Sequence, residues 1–116
     1  YNAIPGVVYT NPEVSCIGLN EEQAQKESID YKLCKLPMTY AGRFVAENEG
    51  QTGLCKILVD NNHRILGMHM LCNPSSEFIS TACIAITNGI TVEQLQRTIF
   101  PHPTVSEIIK ECLFNM

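Results

Sequence analysis

The chain has 116 residues, a formal net charge of −4 at pH 7, and a composition that is 45% hydrophobic and 17% charged. A chain of this size and composition fits one globular domain with its own core, which excludes a second domain and an intrinsically disordered chain. We expect neither a nucleic-acid nor a membrane partner, because the charge balance is acidic and no apolar stretch approaches the roughly 18 residues of a membrane span.

The first half of the chain predicts short strands and one helix. β-branched and aromatic residues bounded by turn signals predict strands at residues 7–10, 14–18 and 31–36. Asn20 and Gln23 have the residue types of a capping box, which predicts a helix that runs to about Ser28. Residues 40–53 contain glycines and are predicted to form a loop.

Two apolar runs in the middle of the chain predict a β-hairpin. Residues 54–59 and 65–70 flank a polar connection at residues 60–64, and a connection of this length suits a hairpin loop. Within this connection we expect the side chain of His63 to be solvated. His69 lies in the second strand, where we expect it to be packed or to face the surface.

The remainder of the chain predicts three helices. Apolar residues recur at helical spacing from Phe78 to Ile86, and Thr91 with Gln94 has the residue types of a second capping box. The last helix has an apolar face formed by Val105, Ile108, Ile109, Cys112 and Leu113. Because most strands precede most helices, we predict an α+β fold, with a central antiparallel sheet of about five strands and helices packed on it.

The six cysteines are never closely spaced, and no Cys-x-x-Cys pair occurs. Five of them lie in apolar runs, where a free thiol behaves as a small hydrophobic group. We therefore expect buried thiols in a reducing cytoplasm and no metal site, with a disulfide framework or a metal site as the alternative. No Gly-x-Gly-x-x-Gly or Gly-x-x-x-x-Gly-Lys loop is present, so no dinucleotide or P-loop site is predicted.

His102 and Glu107 are the candidate acid/base pair. An imidazole exchanges protons near neutral pH, and a carboxylate hydrogen-bonded to its other nitrogen fixes the tautomer and stabilises the protonated ring. Pro103 directs His102 out of helical geometry, so the turn can aim the ring away from its own domain. Two alternatives stay open: His102 is a solvated turn residue, and Glu107 closes a capping box with Thr104.

Four stretches of the sequence together resemble one enzyme family. They are residues 4–14 (Ile-Pro-Gly-Val-Val-Tyr-Thr-Asn-Pro-Glu-Val), 21–24 (Glu-Glu-Gln-Ala), 64–69 (Arg-Ile-Leu-Gly-Met-His) and 102–107 (His-Pro-Thr-Val-Ser-Glu). Over essentially its whole length the chain resembles the C-terminal interface, or dimerisation, domain of the flavin-dependent pyridine nucleotide-disulfide oxidoreductases, most closely the dihydrolipoamide dehydrogenases. The resemblance implies a dimerisation domain at residues 1–116, with the FAD-binding and NAD-binding domains absent from this chain.

The same resemblance implies a homodimer in which each domain completes the active site of its partner subunit. His102 would take a proton from the thiol of dihydrolipoamide, and Glu107 would orient its ring. The backbone of His102 would face the partner's FAD, and the His102–Pro103 bond would be cis. FAD and NAD are the implied cofactors of the full-length parent, an oxidoreductase. We expect no cofactor bound to this fragment, which alone should be inactive.

Two other functions remain open at this point. The same domain of a glutathione-type disulfide reductase would carry a similar His-Pro-Thr turn and act on another thiol. A free-standing dimerisation module, in which the histidine meets no flavin, belongs to a different class. Pro101 also departs from the family pattern, because many relatives have alanine at this position. The departure leaves His102 and Glu107 in place.

Overall fold

The structure, a computed structural model, describes residues 5–38, 53–98 and 106–114. In these residues the strands are β1 (Gly6–Val8), β2 (Val14–Gly18), β3 (Lys32–Pro37), β4 (Leu54–Val59) and β5 (Ile65–Leu71). The helices are α1 (Glu21–Lys26), α2 (Ser75–Thr87), α3 (Val92–Arg97) and α4 (Ile108–Phe114). The predicted α+β class and the five-stranded sheet are confirmed. Most of the predicted loop at residues 40–53 lies outside the described residues.

The sheet is antiparallel throughout, and its strands lie in the order β1-β2-β5-β4-β3. The predicted hairpin forms from β4 and β5, which is the central strand. Its register shifts between Leu58 and Val59, so that Leu66 is an extra residue in β5. Such a bulge re-aims neighbouring side chains, and here Leu66 packs with Leu58 and Ala24 in a small second core.

One face of the sheet, the inner face, carries the main core. α2 packs on β2 and β5, while α4 packs on β3 and β4. Strand alternation directs every second side chain to this face, where Ile57 and Met68 have no exposed surface. Ser15 is also buried there, and its hydroxyl lies 2.7 Å from that of Ser75 at the start of α2. The two buried hydroxyls therefore satisfy each other.

The opposite face, the outer face, is covered at one end by α1. Farther along this face, the strand register aligns four apolar residues across β1, β2, β5 and β4, which we call the outer row: Val8, Val14, Leu71 and Leu54. Val8 is 56% exposed, and Val14 and Leu71 are each 40% exposed. Within the described residues, the outer row is thus an apolar strip open to solvent.

Both predicted capping boxes are formed. At the start of α1, the backbone N–H of Gln23 donates to the side chain of Asn20 at 2.8 Å, and the reciprocal bond is 3.0 Å. At the start of α3, the equivalent bonds between Thr91 and Gln94 are 3.3 and 2.8 Å. These bonds satisfy backbone N–H groups that a helix leaves unpaired. Among the described helices, none combines the length and apolar character needed to cross a membrane.

Candidate functional site

Glu107, one member of the predicted acid/base pair, lies in the turn that enters α4. It is half-buried, and its carbonyl oxygen accepts a hydrogen bond from the backbone N–H of Glu111 at 3.0 Å. The backbone at Glu107 therefore already contributes to the helical hydrogen bonding of α4. His102 and Pro103 lie outside the described residues, so the pairing of His102 with Glu107 and the cis bond stay predictions. Thr104, the partner in the alternative capping box, also lies outside them.

α4 fixes the position of Glu107 relative to the sheet. Its buried face is formed by Ile108, Ile109, Cys112 and Leu113, which match the predicted apolar period. The thiol of Cys34 in β3 donates a hydrogen bond to the carbonyl oxygen of Cys112. Apolar burial and this bond hold α4 against β3 and β4, so Glu107 is presented from a well-packed element.

α3 and α4 flank the segment that carries His102. Val92 and Leu95 bury one side of α3, and Thr98 follows its last turn. The ammonium group of Lys110 in α4 donates to the carbonyl oxygen of Thr98 at 2.9 Å. The side-chain amide of Gln96 donates to the carbonyl oxygen of Leu113 at 3.3 Å. The two helices that precede and follow residues 99–105 are thus hydrogen-bonded to each other.

A second histidine–glutamate pair joins the β4–β5 hairpin turn to α3. Nδ1 of His63 and a carboxylate oxygen of Glu93 form a hydrogen bond or ion pair, and this bond holds the pKa of Glu93 below its usual value. The His63 carbonyl accepts from the backbone N–H of Val92 at 2.7 Å. The expectation of a solvated His63 is corrected in part: its side chain is 55% exposed, but one ring nitrogen contacts Glu93.

Sequence reasoning missed this pair because its members lie far apart along the chain. The polar turn and the capping box of α3 were both predicted, yet no local pattern shows that they meet. His63 also adopts φ of +62°, a left-handed conformation that histidine tolerates better than most residues. A cavity of about 250 Å³ lies beside the pair and is also lined by Lys32 and Gln96. The exposed pair attaches the hairpin turn to α3.

His69 has a structural contact on the outer face of the sheet. Its Nε2 atom lies 2.8 Å from the carbonyl oxygen of Leu19, in the connection between β2 and α1. On the adjacent strand, the ammonium group of Lys56 forms an ion pair with Glu21 at 2.5 Å. These two contacts attach α1 and its connection to the sheet. His69 was predicted to be packed or to face the surface, and it is half-buried with one ring nitrogen in contact with Leu19.

The six cysteines, all of which lie in the described residues, form no disulfide. Cys34, Cys55, Cys72 and Cys112 are buried as predicted, whereas Cys83 is half-exposed and Cys16 is exposed. Burial, reinforced by the charge of Glu13, raises the pKa of Cys72 to about 12. A hydrogen bond to Cys112 and burial raise the pKa of Cys34. A thiol with a raised pKa is protonated at neutral pH and is a poor nucleophile.

No group of three or more metal-ligating side chains is found among the described residues. The sheet topology also bears on dinucleotide binding. The sheet is antiparallel, whereas the dinucleotide-binding fold requires parallel strands joined by a crossover helix. The described residues therefore do not form the dinucleotide-binding fold.

Known proteins and a family model match almost the whole chain. The model of the pyridine nucleotide-disulphide oxidoreductase dimerisation domain matches residues 4–113. A dihydrolipoyl dehydrogenase of Trypanosoma brucei brucei is 40% identical over 112 residues, which cover 96% of this chain and 23% of that protein. A mitochondrial dihydrolipoyl dehydrogenase of Caenorhabditis elegans is 39% identical over 112 residues, covering 96% of this chain and 22% of that protein.

A solved structure supports the same grouping. The HOCl-induced flavoprotein disulfide reductase RclA from Escherichia coli matches with a TM-score of 0.89 and 30% identity, covering 96% of this chain and 26% of that one. The present chain therefore spans about a quarter of the length of the relatives it matches. Its sequence and its fold agree with the predicted resemblance. The chain belongs to the dimerisation-domain family of the pyridine nucleotide-disulphide oxidoreductases.

Proposed function

We propose that this domain is the dimerisation part of a dihydrolipoyl dehydrogenase, an oxidoreductase that acts as a homodimer. The identity of about 40% to proteins of that name, over nearly the whole chain, carries the proposal. The placement of Glu107 at the start of a helix packed on the sheet supports the proposal, because a catalytic carboxylate must be held by a rigid structural element.

In the proposed mechanism, His102 acts at the active site of the partner subunit. Its imidazole takes the proton from a thiol of dihydrolipoamide, and the resulting thiolate attacks a disulfide held by the partner. The attack breaks the bond between the two sulfurs of that disulfide, forms a mixed disulfide with the substrate and releases the other sulfur as a thiolate. Glu107 accepts a hydrogen bond from the ring, which fixes the tautomer and stabilises the protonated form. The imidazolium then holds the proton until it is released to solvent.

FAD and NAD would be held by domains of the parent polypeptide that this chain does not contain. Together they would accept the two electrons that the dithiol releases when it is oxidised to a disulfide. The contribution of this domain would be the proton transfer by His102 and the contact with a second copy. We accordingly expect the 116-residue chain alone to show no turnover of dihydrolipoamide.

Replacement of His102 tests the proposal most directly. In the full-length polypeptide, His102→Gln should lower kcat for dihydrolipoamide oxidation by about 10²–10⁴, the usual contribution of a general acid/base. The matched control is His63→Gln, which removes a histidine whose contacts are with a turn and α3, and which should leave kcat within about twofold. Wild-type turnover in the His102→Gln enzyme would contradict the proposed role.

Glu107→Gln separates orientation from simple helix capping. If Glu107 stabilises the protonated ring of His102, its loss should lower the pKa that governs the pH dependence of kcat/KM. If Glu107 serves only in a capping box, the substitution should leave the pH profile unchanged and change the melting temperature little, because glutamine takes the same position in the capping boxes of α1 and α3. We expect Glu107→Gln to lower kcat less than His102→Gln does, because the imidazole itself remains.

The substrate and the location of the parent enzyme are separate proposals. RclA is named a flavoprotein disulfide reductase, so a disulfide other than lipoamide is the second candidate substrate. Parallel assays with lipoamide and glutathione disulfide distinguish the two. The predicted cytoplasmic location rests on reduced thiols alone, and the relative from Caenorhabditis elegans is named mitochondrial. Fractionation of the source cells tests this prediction.

A further inference from the structure

A cavity of about 250 Å³ lies between the β4–β5 turn, α3 and α4, at the end of the inner face where β3 begins. Its volume is close to the lower limit of roughly 300 Å³ for small-molecule sites. An apolar cavity of about 150 Å³ holds a benzene molecule, so this cavity has room for one aromatic ring with a short substituent. The proposed function gives this cavity no role, and Glu107 is not among the described residues that line it.

One wall of the cavity is apolar and belongs to the core. It is formed by Val59 of β4, Val92 at the start of α3 and Leu113 of α4, and all three side chains are buried. Phe114, at the end of α4, also lines the cavity, and it is 59% exposed. An accessible aromatic ring beside a buried apolar wall favours a ligand with an aromatic body, because aromatic pairs gain stability beyond simple burial.

A lysine lines the same cavity from the sheet. Lys32 is the first residue of β3, and by strand alternation it shares the inner face with Cys34 and Leu36, which both belong to the main core. The side chain of Lys32 forms no hydrogen bond or ion pair with another described residue. An ammonium group without a protein partner, placed beside apolar surface, favours a ligand that carries an anionic group.

We propose that this cavity binds a small aromatic monocarboxylate: the ring packs against Phe114 and the buried apolar wall, and the carboxylate accepts a hydrogen bond from the ammonium group of Lys32. Glu93 also lines the cavity, but its carboxylate is engaged by Nδ1 of His63, which reduces its repulsion of a bound anion. A single unpartnered ammonium matches one negative charge, so a carboxylate suits the site better than a dianionic phosphate. The inference goes beyond the proposed function and does not depend on it.

The test measures the binding of phenylacetate to the full-length, FAD-loaded polypeptide by ligand-observed NMR titration. We expect saturable binding with a Kd of about 1 mM or lower, as is usual for a ligand of this size. Phenethyl alcohol keeps the ring and lacks the charge, whereas acetate keeps the charge and lacks the ring. Each of these two compounds should bind at least about 10-fold more weakly than phenylacetate, because each makes only one of the two proposed contacts.

Substitutions in the cavity then locate the binding. Lys32→Met keeps the apolar stem but removes the ammonium, and should raise the Kd for phenylacetate about 10-fold or more. Lys32→Arg retains a cationic donor and should bring the Kd to within a few-fold of the wild-type value. Phe114→Ala removes the aromatic wall and should raise the Kd about 3- to 10-fold. The matched control is Lys35→Met, on the same strand but on the outer face, which should leave the Kd unchanged.

The outcomes separate binding in this cavity from binding elsewhere. A rise in Kd that is confined to Lys32→Met and Phe114→Ala, and is reversed by Lys32→Arg, supports the proposal. The proposal is overturned if phenylacetate shows no saturable binding, or if phenethyl alcohol binds as tightly as phenylacetate. It is also overturned if Lys32→Met has the wild-type Kd, or if Lys32→Met and Lys35→Met raise the Kd equally. The proposed function is tested separately, by the turnover of the His102→Gln enzyme.

Discussion

The inner and outer faces of the sheet are built from the same strands but differ in what covers them. Ile57 on the inner face lies under α4 and has no exposed surface, whereas Leu71 in the outer row is 40% exposed. Strand alternation decides which face a residue occupies, but the placement of helices decides whether that face is buried. The outer row is therefore an apolar surface that is not packed into the core of the described residues. Exposed apolar patches of this kind are common at sites where another protein binds.

The largest expected loss of stability comes from a substitution in the core on the inner face. Ile57→Ala should lower the free energy of unfolding of the 116-residue chain by about 2–5 kcal/mol, because it removes buried methyl groups and leaves a cavity. Leu71→Ala in the outer row is the matched control, with an expected loss of roughly 1 kcal/mol or less. Urea denaturation of both variants measures the contrast. Equal losses would show that the outer row is as well packed as the core.

An intermediate effect tests the polar contact within the inner face. Ser15→Ala should cost about 1–2 kcal/mol, because it leaves the buried hydroxyl of Ser75 without its partner. The double variant Ser15→Ala/Ser75→Ala should lose less than the sum of the two single variants, since no buried hydroxyl then remains. Additive losses in denaturant unfolding would argue that each hydroxyl has a further partner.

The smallest expected effect on stability concerns the contact between His63 and Glu93, which lies at the β4–β5 turn and belongs to neither face of the sheet. The pKa of Glu93 is lower in the folded chain than in the unfolded one, so its contribution to stability is present above the unfolded pKa. That contribution is lost as pH falls through the folded pKa. Glu93→Gln should therefore lower the melting temperature slightly near neutral pH and have no effect well below about pH 4. In a His63→Gln background the same substitution should have a smaller effect near neutral pH, because the bond to His63 is the largest but not the sole cause of the lowered pKa of Glu93.

Local patterns predicted the elements of this fold well. Asn20 with Gln23, and Thr91 with Gln94, make both bonds of a capping box because these contacts involve residues only three apart. The β4–β5 hairpin also follows from a short polar connection between apolar runs. The strand order was less accessible: β2 pairs with β5, which is distant in sequence, and no turn signal specifies this pairing.

At the candidate site, too, local sequence patterns predicted some features and not others. The apolar period predicted that α4 would bury Ile108, Ile109, Cys112 and Leu113, and this placed the start of a packed helix beside Glu107. The bond from Lys110 to Thr98 and the pairing of His63 with Glu93 depend on where separate helices and turns meet. Long side chains on flexible stems carry no periodic signal, so their partners appear only when the fold is known.

The buried thiols can report on local unfolding of the strands and the helix that contain them. Cys34 in β3, Cys55 in β4 and Cys112 in α4 lie in one core, while Cys16 on the outer face is exposed. An alkylating reagent should modify Cys16 at once and reach the other three only when the strands or helix around them separate. The rate at which each thiol is labelled would then rank how often β3, β4 and α4 open, without any probe being introduced.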